Sequence, residues 1–269
     1  MSERAKMQRG QGPLAILFMA LVYLFLYMPI LVVVVYSFNQ NSSNITFQGF
    51  TLRWYQEVLT GSTLWGNLFL SLKLAFVSMV ISVVIGTLAT IGTYRYEFRL
   101  KKYLNGLLYI PLVIPELVIG LASLAAFSRM GLQMGFGTLV FAHVTFCLPF
   151  VIITLRARIA DFDRSIEEAA MDLGANEWHT LKRVTLPLLA PGILSAAFMA
   201  ITLSIDDVII SYFVSGADQL TFPVKVYGMV RGKISTEVYV ISALLIFALA
   251  LLWLLGMALR AGYRRRHPE

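Results

Sequence analysis

The sequence predicts an all-α polytopic membrane protein with six transmembrane helices. Three observations predict it. Of 269 residues, 58% are hydrophobic and only 14% are charged, against about 25% charged in a soluble domain. Six apolar runs reach the length of about 20 residues that a spanning helix needs. Lys and Arg collect at alternate ends of those runs. The chain has no internal repeat and no low-complexity linker, so a single integral-membrane domain over 1–269 is expected, with a cytoplasmic loop at about 156–187.

Leu14 to Val35 carries no charge and is long enough to span. It follows Arg4, Lys6 and Arg9, as a secretory signal would, but its apolar stretch is too long for a signal core and no small-x-small cleavage site follows. An uncleaved first helix is expected. Leu74 to Tyr94 is the second span, starting a few residues earlier, with Lys73 snorkelling near its outer end. Tyr103 to Ser128 is the third, broken only by Glu116, and Met130 to Leu155 contains the fourth. Leu188 to Phe213 is the fifth and contains Asp206 and Asp207; Val238 to Leu259 is the sixth. Pro29 lies in the first span, Pro111 and Pro115 in the third. A proline inside a helix frees a carbonyl and kinks the axis. Beside Glu116 the kink is either a simple irregularity or a way of placing a carboxylate at mid-depth.

Six spans put both termini on one side. The amino terminus, Arg95 to Lys102, Arg156 to Arg183 and the tail with Arg260 and Arg264-Arg265-Arg266 hold 16 Lys and Arg. The opposite segments hold five, at Arg53, Arg129, Lys225, Arg231 and Lys233. The positive-inside rule makes the first set cytoplasmic. The same edge placement explains the net charge of +7 by lipid and topology, with no nucleic-acid partner. Cys147, the sole cysteine, excludes an intramolecular disulfide and reads as a small core residue. The outer loop from Asn39 to Gly66 carries Phe47, Phe50, Trp54 and Tyr55, which read as interface anchors or as a docking surface for an external partner. Asn41-Ser42-Ser43 and Asn44-Ile45-Thr46 match the glycosylation pattern, but such short patterns arise by chance.

The charged loop between Arg156 and Pro187 is the most informative stretch. Ser165 stands three residues before Glu168, the spacing of a capping box that opens a helix. Glu167, Glu168 and Asp172 fall in its first turns, where the helix dipole favours anions. Ala169, Ala170 and Leu173 form a compact apolar patch at helical spacing, and Gly174 ends the helix in the left-handed conformation. Asn176 to Val184 can form a second short helix, and Pro187 opens the fifth span. The expected product is a helix–glycine–helix knob, whose small alanines let another protein approach closely and whose charges orient it.

Glu168-Ala169-Ala170, then Gly174, then Val184-Thr185-Leu186-Pro187 resembles the coupling-loop signature of ABC-importer permeases, with Val184 in place of the usual isoleucine. The resemblance implies that Glu168, Ala169, Ala170, Gly174, Leu186 and Pro187 couple to an ATP-hydrolysing subunit. It implies a groove on that subunit that holds the knob, and ATPase-dimer closure that swings the spans between inward- and outward-facing states. The chain has no G-x-x-x-x-G-K-[ST] phosphate loop of its own, so no ATP binding and no cofactor is expected.

An acid inside the membrane is expensive, about 2.5–3.5 kcal/mol for a central Asp on insertion scales. Asp206, Asp207 and Glu116 therefore need a reason. One is a cation path, with Tyr212 and Phe213 offering aromatic faces; the other is pairing with basic groups of a partner or a position near the outer surface. Adjacent helical residues point ~100° apart, so one of Asp206 and Asp207 at most faces the path squarely. His143, apolar-flanked, reads as a satisfied buried histidine.

Leu203 to Gly216, Ala142 to Phe150 and the Gly49-Phe50…Trp54-Tyr55 stretch look like the signatures of the inner-membrane permeases of spermidine/putrescine importers. The similarity runs over nearly the whole chain. It implies a type I importer fold in a bacterial inner membrane, a second homologous permease subunit, two copies of an ABC ATPase and a periplasmic polyamine-binding protein. Close relatives carry other cations or small organic solutes. A secondary transporter would use the same acids as proton or sodium sites, but it has no need of the knob, and no inverted repeat is seen. An intramembrane enzyme is disfavoured: no H-E-x-x-H or other metal-ligand cluster appears, and the three histidines are scattered.

Overall fold

The computed structural model describes residues 13–41, 46–160, 162–230 and 235–266. Arg4, Lys6, Arg9, most of the two glycosylation-like triplets, Arg231 and Lys233 lie outside the described residues. The helices in chain order are α1 (Pro13–Tyr36), α2 (Arg53–Gly61), α3 (Leu64–Arg95), α4 (Lys101–Leu107), α5 (Ile110–Val113), α6 (Glu116–Arg129), α7 (Phe136–Ala160), α8 (Ser165–Asp172), α9 (Glu177–Thr180), α10 (Leu186–Ile205), α11 (Ile209–Val214), α12 (Phe222–Val230) and α13 (Thr236–Arg266), with a π-helical turn over Leu181–Thr185 leading into α10. Among the described residues the only β feature is one isolated antiparallel bridge, Asn39 with Phe50.

Five helical runs are long and apolar enough to cross a membrane: α1, α3, α7, Glu177–Ile205 and α13. Lys101–Val113 and Glu116–Arg129 make a sixth crossing if the bent pair counts as one span. Their bend is 109°, far more than a kink. It falls at Ile114 and Pro115, both in extended backbone, as expected where proline removes an N–H and disfavours helix in the residue before it. The fifth span also differs from expectation. It ends at Ile205, and α11 begins only at Ile209, so Asp206 and Asp207 sit in a break and not inside a helix. The second span starts at Leu64, and its 32 residues make a rod of about 48 Å, longer than the ~30 Å hydrocarbon core. Lys73 thus lies within the helix, its ammonium 4.7 Å from the centre of the Phe136 ring.

The chain divides into two compact units, Thr63–Gly228 and Met1–Ser62 with Met229–Glu269. In the first, α3, α7 and α10 all pack against one another, and α6 packs on α11. The core is layered along these helices: Leu74, Leu139, Ile210 and Val214 at one level, Cys147, Val151, Ala196 and Ala200 at the next, Ile91, Ile159 and Leu189 at the last. Small residues permit the close approach. Ser78, Ser82 and Gly86 line the buried face of α3, as expected between helices that no water drives together. In the other unit α13 packs on α1 and α2. Asn39 is fully buried and organises the loop between α1 and α2: its amide donates to the Thr46 carbonyl (3.0 Å), its side-chain oxygen accepts from the Gln48 N–H (2.9 Å), and its own carbonyl accepts from the Trp54 indole (3.0 Å). Phe38 stacks on Phe50 and Tyr55 with centroids 5.1 and 5.0 Å away. Much of the loop's aromatic content is thus spent on its own fold.

A side chain at Gly86 would place its Cβ 2.6 Å from Val151 Cγ1. Overpacking of this kind destabilises by about 1–3 kcal/mol. Gly86→Val is expected to lower the thermal unfolding midpoint in detergent by several degrees; an unchanged midpoint would show that α3 and α7 separate freely there.

Candidate functional site

The knob between α7 and α10 is built from local rules. Ser165 is the first helical residue of α8 and Arg164 is its N-cap, one residue earlier than a capping box at Ser165 would have it. The cap comes from Asp163, whose Oδ1 accepts the Ser165 N–H at 3.0 Å. Ser165 sits too far into the helix to cap it. Its hydroxyl and N–H, both bonded to Asp163, hold that exposed carboxyl below the usual range. At the other end Gly174 has φ +90°, and the N–H groups of Gly174 and Ala175 reach the carbonyls of Met171 (2.9 Å) and Ala170 (3.1 Å). This is the Schellman closure, for which a side-chain-free residue is suited. Asn176 then caps α9, its Oδ1 accepting the His179 N–H at 2.9 Å. The result presents Ile166, Met171, Leu173 and Trp178 outward, with Leu173 90% and Trp178 67% exposed.

The knob's two adjacent acids divide their work. Glu168 is exposed, 3.8 Å from Arg164. Glu167 is 3% exposed and is the only buried residue of α8. Its Oε1 accepts from Arg95 Nη2 at 2.7 Å and from the Thr185 hydroxyl. Arg95 Nη2 also donates to Thr185 Oγ1 at 2.8 Å. Ala169 is exposed and Ala170 half-buried. Leu186 packs on the Ile91, Ile159 and Leu189 layer beneath, and Pro187 is exposed at the start of α10. Pro187 has no N–H for a helical bond to the Arg183 carbonyl, and the chain just before it is widened into the π turn, a device found often at functional positions.

The second assembly lies at the break after α10. Asp207 is 4% exposed. Its Oδ1 accepts the Ile210 N–H (3.1 Å) and its Oδ2 the Ser211 N–H (2.7 Å), so it caps α11. His143 from α7 approaches Oδ2 at 3.3 Å through Nε2, which also lies 3.0 Å from Ser211 Oγ; Nδ1 lies 2.7 Å from Ser204 Oγ. Four polar side chains that lipid would penalise thereby satisfy one another. The Glu116 carboxyl at the start of α6 lies beside Asp207. Asp206 is exposed. Tyr212 is exposed too, with its ring in edge contact with Phe213 (5.7 Å) and Tyr227 (6.5 Å).

The structure brings Asp206, Asp207, Glu116 and Tyr212 to one end of the α6–α11 pair, and Glu168, Ala169, Ala170 and Gly174 to the knob. The two groups are separate. Sequence reasoning missed Arg95, Thr185 and Trp178. A signal existed for two of them: of two neighbouring acids on an amphipathic helix one turns inward and needs a cation, and a tryptophan in a charged loop needs a reason to be there. His143 and Asp207, both polar within apolar runs, were candidates to meet.

A profile of the family described as "Binding-protein-dependent transport system inner membrane component" matches residues 82–267. The chain is 38% identical over 229 residues, 85% of its length and 87% of the relative's, to the spermidine/putrescine transport system permease protein PotC of Escherichia coli K12. It is 34% identical over 258 residues, 93% and 92% of the two lengths, to the putrescine transport system permease protein PotI of the same organism. A solved structure, of an amino acid ABC transporter with histidines, superposes with a TM-score of 0.54 at 22% identity, covering 80% of this chain and 97% of that one. That likeness concerns the fold.

Removing one partner so that a buried polar group is left unsatisfied costs about 1–3 kcal/mol. His143→Leu is therefore expected to destabilise the protein by that order in thermal unfolding. Adding Asp207→Asn, which keeps an oxygen for the α11 N–H groups but removes the charge, should recover part of the loss. No recovery would mean that the imidazole matters for shape alone.

Proposed function

We propose, for a chain that belongs to the family of binding-protein-dependent transport system inner membrane components, that it is the permease subunit of an ATP-driven ABC importer that passes putrescine or spermidine into the cell. The observation that carries the first half is the knob: a glycine-closed helix pair with an exposed apolar tip, on a protein whose relatives are transport permeases. The polyamine half rests on those relatives, whose names specify spermidine and putrescine. The chain serves as one membrane domain, and the family match, which begins within α3 and ends in α13, extends over both compact units. It works as a multi-pass inner-membrane protein. The Lys and Arg bias supports a cytoplasmic position for both termini and the knob. Its partners are two ABC ATPase copies, a second homologous permease and a periplasmic polyamine-binding protein.

Leu173 and Trp178 seat in the ATPase, with Glu168 orienting the contact and Gly174 shaping the tip. At the other assembly, a diammonium chain stripped of water needs anions and aromatic faces. Asp206 and Tyr212 are exposed and supply both, and Glu116 adds a carboxyl. Asp207 contributes from beneath: held by His143 and capping α11, it fixes the backbone that carries Asp206 and Tyr212. No catalytic group or cofactor has a role on this chain; the chemical work is ATP hydrolysis on its partner.

Cells lacking their own polyamine uptake, supplied with this chain and its partner subunits, should accumulate labelled putrescine or spermidine, with unlabelled polyamines competing. Uptake that ignores polyamines but follows another solute would move the substrate and leave the permease role. Asp206→Asn is expected to lower the rate severalfold at unchanged membrane abundance. Gly174→Asp places a side chain where the left-handed backbone costs about 1–2 kcal/mol and should abolish uptake while the protein stays in the membrane. Wild-type rates in both variants would remove these site assignments. Reporter fusions at His267 and Gln40 should read cytoplasm and periplasm; one compartment for both would overturn the orientation.

A further inference from the structure

We infer that Arg95, Glu167 and Thr185 form the strut that carries displacement of the knob into the membrane spans. The inference rests on the coupling reading of the knob. α8 has eight residues, and its one buried residue is a carboxylate. Ile166 and Met171, its larger apolar residues, are exposed. Its attachment to the spans therefore centres on Glu167 Oε1, which meets Arg95 Nη2 at 2.7 Å and the Thr185 hydroxyl. Arg95 is the last residue of α3, and Thr185 closes the π turn that runs directly into α10. α3 and α10 are two of the three helices that make the core, and they pack on each other. One carboxylate thus joins the element that the ATPase would move to two of the rods that must respond.

The choice of chemistry supports a mechanical role. Apolar contact is non-directional and lets surfaces slide. A charge-assisted hydrogen bond to a guanidinium is short and fixed in direction. A buried ion pair is in general no more stable than a well-packed apolar replacement. Stability therefore does not require Arg95 and Glu167 here; transmission of a directed push does. These are positioning residues, which touch neither solute nor nucleotide.

The importer assembled with its ATPases, second permease and binding protein in proteoliposomes tests this, with putrescine as the transported probe. Two variants are compared with the unaltered chain: Glu167→Gln, which keeps shape, and Arg95→Met with Glu167→Leu, which keeps the site filled and folded but removes direction. ATPase recovery on purification should be unchanged, because the exposed tip is untouched. The ATP hydrolysed per putrescine imported should rise at least about fivefold in the apolar double variant, the lower end of coupling between distant sites, and less in Glu167→Gln. A ratio equal to that of the unaltered chain in both variants overturns the inference. So does loss of both from the membrane, which would make the cluster a folding element. Leu173→Asp separates the underlying reading: if it retains ATPase recovery and transport, the knob is not the coupling site, whatever the strut variants do.

Discussion

Water does not reach the middle of a bilayer, so every polar group placed there must find its partner inside the protein. That constraint organises this fold. Long uninterrupted helices satisfy it by default, and α1, α3, α7 and α13 obey it so. Two places near the ends of the packed helices show how a departure from regular helix is compensated locally. At the break after α10, Asp207 supplies acceptors for the Ile210 and Ser211 N–H groups, and His143 with Ser204 and Ser211 completes the buried polar cluster. At the end of α7 nearest that break, Thr138 accepts the Gly135 N–H at 2.8 Å and donates to the Val214 carbonyl at 3.0 Å, tying the start of one helix to the end of another.

The same constraint explains why acids survive in an apolar chain. A charge that lipid would expel is kept where a second function needs it. Asp207 meets that problem at a break between apolar helices, whereas Glu167, in the loop between α7 and α10, meets the related one of a charge buried within the protein. Asp207 caps a helix and fixes the backbone around exposed Asp206 and Tyr212. Glu167 pairs with a cation and ties a small surface element to large buried ones. Both lie next to an exposed acid, Asp206 and Glu168, and in each pair the buried member is the one tied into the frame.

Packing supplies the rest of the rigidity. The contact of Gly86 with Val151 and that of Gly120 with Phe213 and Ile210 bring helices closer than larger residues would allow. The three-helix core and the α6–α11 pair are therefore well defined, and displacement of one rod is felt by its neighbours.

Much was legible in the sequence because it follows from local or one-dimensional physics. Apolar length marks a span, basic asymmetry suggests a side, and the glycine after an alanine-rich helix marks a closure that few other residues tolerate. Gly174, with φ +90°, sits where that reasoning put it. The places where the reading slipped share a cause. Ser165 did not cap α8 because Asp163, two residues away, offered a better-placed oxygen. The fifth span did not run to Phe213 because Asp207 found partners on α7, 64 residues earlier in the chain at His143. The third span did not merely kink but turned through 109°. Hydropathy is a sum over neighbours in the chain, whereas hydrogen bonds and ion pairs form between neighbours in space. The sequence by itself therefore determined that this protein crosses a membrane and presents a knob. Which of two adjacent acids faces inward, and what it holds, was decided only by the tertiary structure, because that choice depends on the cation or amide that folding brings within 3 Å.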